Sequence, residues 1–297
     1  MMLFTGASGF LGENIYPILS QQYDIDTVGL SIKDTYTINL AKEIPVLYKQ
    51  YDIVLHAAGK AHDIPTSNTE EDQFFQINLQ GTKNLCSALE RSFLPKVLIF
   101  ISTVAVYGVE SGTMITEEYA LQGTTPYALS KIQAEEFLKN WCSENNILLG
   151  ILRPSLIAGK NPPGNLGAMI NGIKSGKYLR IGDGETKRSV LMAEDIVRII
   201  PKVAKIGGIY NLCDDHHPSF YELETLITKQ LGKKRPISIP YWFAKCIAVI
   251  GDLAGERFPL NSLKLNKIVR SLTFSNEKAK RELNWQPMDV LSNFKIQ

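Results

Sequence analysis

Short apolar runs alternate along the chain with longer segments in which apolar residues recur every three or four positions. The short runs have the length of buried β-strands, and the longer periodic segments are typical of amphipathic helices. The predicted strands cover residues 1–5, 25–30, 52–55, 97–102, 147–152 and 208–212. The predicted helices between them cover residues 9–21, 71–91, 126–143 and 193–204. This alternation predicts an α/β fold, in which right-handed crossovers build a doubly wound parallel sheet with helices on both faces.

The pattern changes after Arg153, where glycine and proline become frequent and no strong strands separate the helices. The helices predicted here cover residues 165–174, 220–231, 241–253 and 276–283. They predict a smaller, mainly helical lobe beside the sheet. We therefore expect a sheet domain of residues 1–153 with 188–213, and a lobe of residues 154–187 with 214–297.

Three glycines with the spacing GxxGxxG follow the first predicted strand and open the first predicted helix. Gly6 permits a tight strand-to-helix turn, Gly9 lets a phosphate approach the backbone, and Gly12 permits close packing of the helix on the sheet. The N-terminus of a helix offers unpaired N–H groups and a partial positive charge to a pyrophosphate. The turn therefore predicts a dinucleotide-binding site in a Rossmann-type sheet domain.

The end of the second predicted strand bears on the choice of dinucleotide. A Rossmann site holds the ribose 2′-hydroxyl of NAD with an acid at this position, and the sequence here reads VGLSIKD. Ser31 stands where the acid is expected, and Ser31 with Lys33 would tolerate the 2′-phosphate of NADP. Alternatively, Asp34 reaches back to serve NAD. The sequence leaves both cofactors open.

Tyr127 and Lys131 lie four residues apart, so a helix carries both side chains on one face. A tyrosine hydroxyl has a pKa of about 10, and a nearby ammonium group lowers it by favouring the phenolate. The pair can then exchange a proton with a substrate hydroxyl. Thr103 follows a buried strand at its carboxyl end, where open α/β sheets bind ligands. We expect Thr103 to hold the reacting oxygen beside Tyr127.

The composition limits the possible partners. The 297 residues carry a net charge of +2, so no overall field favours nucleic acid or an anionic membrane. The four cysteines lack zinc-type spacing and indicate free thiols, so we expect a cytoplasmic protein without a metal. The longest apolar stretch, residues 241–253, is too short to span a bilayer, so stable membrane insertion is not expected. We interpret it as an amphipathic core helix, with contact to a membrane surface as the alternative.

Taken together, the motifs resemble the extended short-chain dehydrogenase/reductases, the group that contains nucleotide-sugar epimerases, dehydratases and 4-keto reductases. The similarity extends over nearly the whole chain. The matching segments are TGASGFLG at 5–12, HAAG at 56–59, INLQGT around Asn78, FISTVAVYG at 100–108, PYALSK at 126–131, LRPSLIAG at 152–159, GNLGAMI at 164–170, KRSVLMAEDIV at 187–197, YNL at 210–212 and KAKRELNW at 278–285.

The resemblance implies that Tyr127 is the acid/base, that Lys131 activates it and binds the cofactor ribose, and that Thr103 positions the substrate. The other residues assigned to NAD or NADP are Gly6, Ser8, Gly9, Phe10, Leu11, Ser31, Asn39, Leu40, Ala57, Ala58, Gly59, Asn78, Ser102 and Pro154. Those assigned to the nucleotide sugar are Asn165, Leu166, Arg188 and Arg270. The resemblance also implies a homodimer formed through the helices predicted at 71–91 and 126–143.

The leading hypothesis is a C4 epimerase of a UDP-hexose or UDP-N-acetylhexosamine, in which bound NAD takes a hydride from C4 and returns it to the other face. An NAD(P)H-dependent reductase of a 4-keto nucleotide sugar needs the same residues and is the alternative. A cofactor-sensing scaffold without turnover is a third hypothesis. Dehydration is disfavoured, because Val104 and Ala105 follow Thr103 where dehydratases carry Asp-Glu. The loop with Lys60, His62 and Asp63 could border the sugar.

Overall fold

A computed structural model of the protein describes residues 1–61, 65–254 and 260–296. The strands are β1 (Met2–Thr5), β2 (Ile25–Gly29), β3 (Tyr36–Thr37), β4 (Ile53–His56), β5 (Val97–Ile101), β6 (Gly112–Ile115), β7 (Leu148–Pro154), β8 (Leu156–Ala158), β9 (Leu179–Ile181), β10 (Val190–Met192), β11 (Gly208–Leu212), β12 (Ile237–Ile239) and β13 (Leu272–Phe274). The helices are α1 (Phe10–Leu19), α2 (Asn68–Phe75), α3 (Gly81–Arg91), α4 (Pro126–Glu144), α5 (Gly164–Lys174), α6 (Ala193–Ile206), α7 (Phe220–Leu231), α8 (Tyr241–Ala254), α9 (Ser262–Val269), α10 (Glu277–Leu283) and α11 (Val290–Asn293).

Seven strands in the described part of the chain form one parallel sheet with the order β11-β7-β5-β4-β1-β2-β3. The doubly wound α/β fold class is therefore confirmed, and all six predicted strands are present in this sheet. The strand order reverses between β1 and β4, whose ends are aligned by the pairing of Thr5 with His56. Because open α/β sheets bind ligands at such a switch point, the loops after β1 and β4 form the expected crevice.

Side chains on the central strands alternate between two cores, because the strand period is two residues. Met2 and Phe4 on β1 pack in the core that α1, α6 and α10 share. Leu3 between them packs in the opposite core, with residues of α3 and α4. β5 is buried at every position. Burial on both faces explains why these strands are continuously apolar in sequence.

The lobe has its own core between α5, α7 and α11, which includes Leu166, Ile170, Leu223, Ile227 and Phe294. The predicted helices are present, but the described residues also form two-stranded parallel sheets of β8 with β10, β9 with β12 and β6 with β13. These strands are three or four residues long. A run that short shows no periodicity by which it could be predicted.

Candidate active site

The turn after β1 has two closely packed glycines and one open glycine. Gly6 has a φ of +83°, and a Cβ there would lie 2.6 Å from the backbone nitrogen of Ala58. A Cβ on Gly12 would overlap the carbonyl oxygens of Gly6 and Ala7. Gly12 is thus required by the turn itself, and not only by the packing of the helix on the sheet that its position predicts. A Cβ on Gly9 would meet only the Gly6 oxygen, at 3.4 Å.

The start of α1 is arranged to receive an anion. Gly9 is the N-cap in an extended conformation, and no side chain of the described residues caps the helix. The first N–H groups of α1 are therefore left for a ligand, which is the arrangement that binds pyrophosphate. Ser8 and Gly9 are exposed at the turn, and Phe10 and Leu11 form the first turn of the helix. The residues present fit a dinucleotide.

A buried chain of hydrogen bonds fixes the loop after β4. The Thr82 hydroxyl donates to the carbonyl oxygen of Asn78 at 2.6 Å, so it accepts from His56 Nε2 at 2.8 Å. His56 Nδ1 then accepts from the Thr5 hydroxyl at 2.7 Å, and Thr5 in turn accepts from the N–H of Ala58 at 3.1 Å. Burial lowers the pKa of His56 to about 3, which keeps the ring neutral as this chain requires. His56 therefore acts by positioning the loop.

Asn78 connects that loop to α4 and lies in a π-helical segment, Gln76–Gln80, between α2 and α3. Such segments are frequent at functional sites. The Asn78 amide accepts from the Lys60 N–H at 2.7 Å and donates to the Ser130 hydroxyl at 2.9 Å. A Cβ on Gly59 would lie 3.0 Å from Asn78 Oδ1 and 3.4 Å from Lys131 Nζ. The structure thus brings Gly59, Asn78 and Lys131 together.

Helix α4 begins just before Tyr127 because of its capping residues. The Thr125 hydroxyl accepts from the Ala128 N–H at 3.2 Å, and Pro126 occupies the first helical position. A proline there loses no helical hydrogen bond and has the φ that a helix needs. The first turn of α4 therefore carries Tyr127, and the next turn carries Lys131.

Lys131 is buried against the end of β5. Its Nζ donates to the carbonyl oxygen of Ile101 at 2.7 Å and lies 4.3 Å from the centre of the Phe100 ring. Burial lowers the pKa of Lys131 to about 7, and the negative charge of Glu135 opposes that shift. A much smaller fraction of Lys131 therefore carries the ammonium charge at neutral pH than in an exposed lysine.

Tyr127 interacts with Thr103, as the sequence predicted. Burial raises the pKa of the Tyr127 hydroxyl, and its hydrogen bond with Thr103 opposes the shift. The spacing of Tyr127 and Lys131 predicts that the ammonium lowers this pKa, and that direction is wrong for the protein alone. The physical reason is that both groups are buried, which disfavours the charged form of each.

A buried ion pair adjoining these residues was missed in the sequence. The guanidinium of Arg153 donates to Glu135 through two nitrogens, at 3.0 and 2.6 Å, and to the Tyr107 hydroxyl at 3.0 Å. Tyr107 donates to Asn211 Oδ1 at 2.7 Å. Ser102 donates its hydroxyl to Glu135 at 2.5 Å. The network joins the end of β5, directly before Thr103, to α4, β7 and β11. The role of Ser102 in cofactor binding stays a prediction.

The end of β2 carries a carboxylate despite the absence of an acid at position 31. Asp34 Oδ2 accepts from the Ser31 N–H at 2.9 Å, and a Cβ on Gly29 would lie 3.0 Å from Asp34 Cγ. The loop therefore folds Asp34 back onto the last residue of β2. The Ser31 hydroxyl accepts from the Lys33 N–H at 3.2 Å.

Three further predicted cofactor residues are Asn39, Leu40 and Pro154. Asn39 starts a turn in which its side chain accepts from the Ala41 N–H at 3.0 Å, and the Leu40 carbonyl accepts from Asn84 at 2.7 Å. Pro154 ends β7. The next hydroxyl, that of Ser155, is buried without a hydrogen-bond partner among the described residues. It is a further candidate for cofactor binding that sequence inspection did not identify.

Two of the predicted substrate residues lie at the start of α5. Asn165 is exposed in the first turn, and no side chain of the described residues caps this helix. The free N–H groups suit a diphosphate. The Leu166 side chain belongs to the lobe core. A contact of Leu166 with substrate would therefore involve its backbone.

The two predicted arginines are neighbours. Arg188 donates to the carbonyl oxygens of Arg270 at 2.5 Å, Lys187 at 2.9 Å and Lys267. Its guanidinium thus binds the carboxyl end of α9, where a cation is favourable. Burial lowers the pKa of Arg188 to about 10. Arg270 is exposed, and the roles of both arginines toward a diphosphate stay predictions.

Within the described ranges, no group of three or more His, Cys, Asp or Glu side chains could hold a metal ion. None of their helices has the length and apolar character to cross a bilayer. His62 and Asp63, which could border the sugar, lie outside the described residues.

Comparison with known proteins identifies the family of the chain. Residues 2–213 match the NAD dependent epimerase/dehydratase family. The chain is 27% identical over 297 residues to the N-acetyl-alpha-D-glucosaminyl-diphospho-ditrans,octacis-undecaprenol 4-epimerase of Escherichia coli O157:H7, covering 93% of this chain and 88% of that protein. It is 25% identical over 241 residues to the GDP-6-deoxy-D-mannose reductase of Pseudomonas aeruginosa, covering 76% and 78%. The UDP-glucose 4-epimerase of Thermotoga maritima, solved with UDP-glucose, shares the fold with a TM-score of 0.75 at 20% identity, over 99% of this chain and 96% of that one.

The family match spans most of the chain and includes the glycine turn, Thr103, Tyr127 and Lys131. The relatives include 4-epimerases, a reductase and a 4,6-dehydratase. The resemblance, the dependence on NAD or NADP and the class of enzyme are therefore confirmed. The chain belongs to the NAD dependent epimerase/dehydratase family and is an NAD(P)-dependent nucleotide-sugar enzyme.

Proposed function

We propose that the protein is a nucleotide-sugar C4 epimerase that retains NAD through its cycle, with Tyr127 as acid/base. The observation that carries the proposal is the contact of Tyr127 with Thr103 at the carboxyl end of β5, with Lys131 buried one turn along α4. This group adjoins the switch point of the sheet, where the glycine turn fits a dinucleotide. Favoured substrates are UDP-hexoses and UDP-N-acetylhexosamines.

In the proposed reaction, Thr103 holds the C4 hydroxyl of the sugar against Tyr127. When bound, NAD supplies a hydride acceptor and a positive charge near the phenol. To take the hydroxyl proton Tyr127 must be the phenolate, and the positive charge of bound NAD would favour that form over the neutral phenol that burial favours in the protein alone. The C4 hydrogen would pass with its electron pair to bound NAD, which leaves a 4-keto sugar, and would return to the other face after the sugar turns in the site. Tyr127, now the phenol, would give the proton back to the C4 oxygen and become the phenolate again. No atom is gained or lost overall, and the configuration at C4 is inverted.

The test is Tyr127→Phe, assayed for interconversion of UDP-glucose with UDP-galactose and of the two N-acetylated forms. Removing a general acid/base lowers rates by roughly 10²–10⁴-fold, while NAD binding should be unchanged. Tyr48→Phe at an exposed position is the matched control. A variant with the full rate would contradict the mechanism. No activity of the unmodified protein on any of the four sugars would contradict the proposed substrates.

The position of Asp34 favours NAD over NADP. Its carboxylate lies at the end of β2, where it would bond the ribose 2′-hydroxyl and repel a 2′-phosphate. We expect Asp34→Asn to weaken NADH binding and to improve NADPH binding, each measured by titration calorimetry. Asp24→Asn, at an exposed position before β2, is the control. Tighter binding of NADPH than NADH by the unmodified protein would favour Ser31 and Lys33 as a 2′-phosphate site.

The alternative function, reduction of a 4-keto nucleotide sugar, uses the same residues. It differs from epimerisation in that the cofactor is consumed and exchanged in each cycle. We expect freshly purified protein to release near-stoichiometric NAD(H) on denaturation. An empty protein that binds added NADPH would favour the reductase. Failure to bind any dinucleotide would favour the non-catalytic scaffold. The proposed domain division and homodimer are untested predictions.

A further inference from the structure

Helix α8 has its small residues on the packed side. Ala244 and Ala248 are fully buried and contact Leu265 of α9. Gly251, one turn further along, is also buried. Residues 244, 248 and 251 have the spacing that places them on one helix face. The protein therefore covers only a narrow, small-residue stripe of this helix.

The large apolar residues of α8 are on the opposite side. Trp242 is 67% exposed and Leu253 is 87% exposed, and Val249 and Ile250 between them are also exposed. The spacing of residues 242, 249 and 253 places them along one helix face. We call Trp242, Val249, Ile250 and Leu253 the α8 face. The expected amphipathic core helix is thus present, with Ala244 and Ala248 in a small core, but its large apolar side chains other than the half-buried Ile247 are exposed.

The sequence around α8 is strongly basic. Between residues 229 and 270 there are nine lysines and arginines and two acidic residues, whereas the whole chain has 32 basic and 30 acidic residues. The rest of the chain is therefore net acidic. Lys233, Lys234 and Lys245 are exposed and form no ion pair within the part of the chain that the structure describes. Positive charge is concentrated in the segment of sequence that contains the α8 face.

We propose that the α8 face docks on an anionic lipid bilayer surface. An amphipathic helix lying in the interface buries apolar side chains at the headgroup boundary, while basic residues beside it attract anionic lipid. Tryptophan is well suited to this depth, because its ring is apolar and its N–H is polar. The helix lies on the surface and does not span it. The docking is independent of the proposed epimerase activity.

A second copy of the chain is a weaker occupant for the same face. A twofold contact brings the same residues of both copies together. It would oppose two segments of equal, strongly positive charge, and like charges across an interface disfavour association. An anionic surface instead complements that charge. The charge around α8 therefore favours an anionic bilayer over a second copy of the chain.

The fluorescence of Trp242 can report this docking. Of its three tryptophans, Trp141 and Trp285 are buried and Trp242 is exposed. The purified enzyme is mixed with vesicles of phosphatidylcholine alone or with 30% phosphatidylglycerol, a composition chosen for the experiment. We expect co-sedimentation and a blue shift of Trp242 emission with the anionic vesicles only. Added salt should weaken the binding by screening the lysines.

Two variants test the two parts of the surface. Trp242→Ser with Leu253→Ser should lower partitioning by about tenfold or more through lost apolar burial, and Lys233→Glu with Lys234→Glu should do so through lost attraction. The control is Phe93→Ser with Ile206→Ser, at positions that are 52% and 53% exposed. Equal binding to both vesicle types, or no binding to either, would overturn the proposal. So would a dimer that the Trp242→Ser, Leu253→Ser variant converts to monomer in light scattering.

Discussion

Helices α4 and α8 depart from the usual distribution of side chains in opposite directions. α4 buries Ser130, Lys131 and Glu135, whereas α8 exposes Trp242 and Leu253. Burying a charge is unfavourable unless it is paired, and leaving large apolar side chains in water is unfavourable as well. Local departures of this kind are expected at functional sites. In α4 the departure serves proton transfer in the proposed reaction, and in α8 it serves the proposed docking.

The largest expected effect comes from breaking the buried pair on α4. Glu135→Ala leaves the Arg153 guanidinium buried without its opposite charge, and should lower the free energy of unfolding by about 3–5 kcal/mol. Urea unfolding followed by circular dichroism measures this. Glu136→Ala, at the exposed neighbour, is the control and should change the same quantity by less than about 0.5 kcal/mol. Equal losses for both variants would show that the pair contributes no more than a surface residue.

An effect of similar size, with a pH signature, is expected for Lys131. Its folded pKa is lowered to about 7 by burial, while the unfolded chain has an ordinary lysine pKa of about 10.5. Between these values the unfolded state binds more protons, so stability rises with pH. Lys131→Met should therefore be more stable than the unmodified protein near pH 7, and the difference should shrink as pH approaches 10.

Urea unfolding of both proteins from pH 7 to pH 10 measures this difference, and subtraction removes the other titrating groups. Lys139→Met, an exposed lysine on the same helix, is the control and should show no such trend. A difference that stays constant over this range would mean that Lys131 keeps an ordinary pKa in the folded protein. The activity of Lys131→Met is a separate question, because the side chain is also assigned to the cofactor ribose.

The central strands of the sheet were predictable because they are buried on both faces and are therefore mostly apolar. β5 is the clearest case, with all five residues buried. The short strands of the lobe were not predictable, because three or four residues show no periodicity. The exposed side of α8 was not predictable either. A helix with apolar residues around most of its circumference does not reveal which of its faces the rest of the chain will cover.

The site was predictable where spacing along one element sets the geometry. Tyr127 and Lys131 are one turn apart on α4, and Thr103 follows a strand whose end must face the crevice. The pairing of Glu135 with Arg153 joins two elements and has no signature in sequence. The bonds of Arg188 are to backbone carbonyls of α9, which any sequence provides. The direction of the Tyr127 pKa depends on burial, which spacing alone does not determine.

The smallest expected effects separate the two sides of α8. Ala248→Leu forces a larger side chain against Leu265 and should lower the free energy of unfolding by about 1–3 kcal/mol. Leu253→Ser, on the exposed side, should change it by less than about 0.5 kcal/mol. Urea unfolding without lipid measures both. If Leu253→Ser were as destabilising as Ala248→Leu, its side chain would be packed in the free protein. The α8 face would then belong to the fold, and nothing would be left for a membrane to cover.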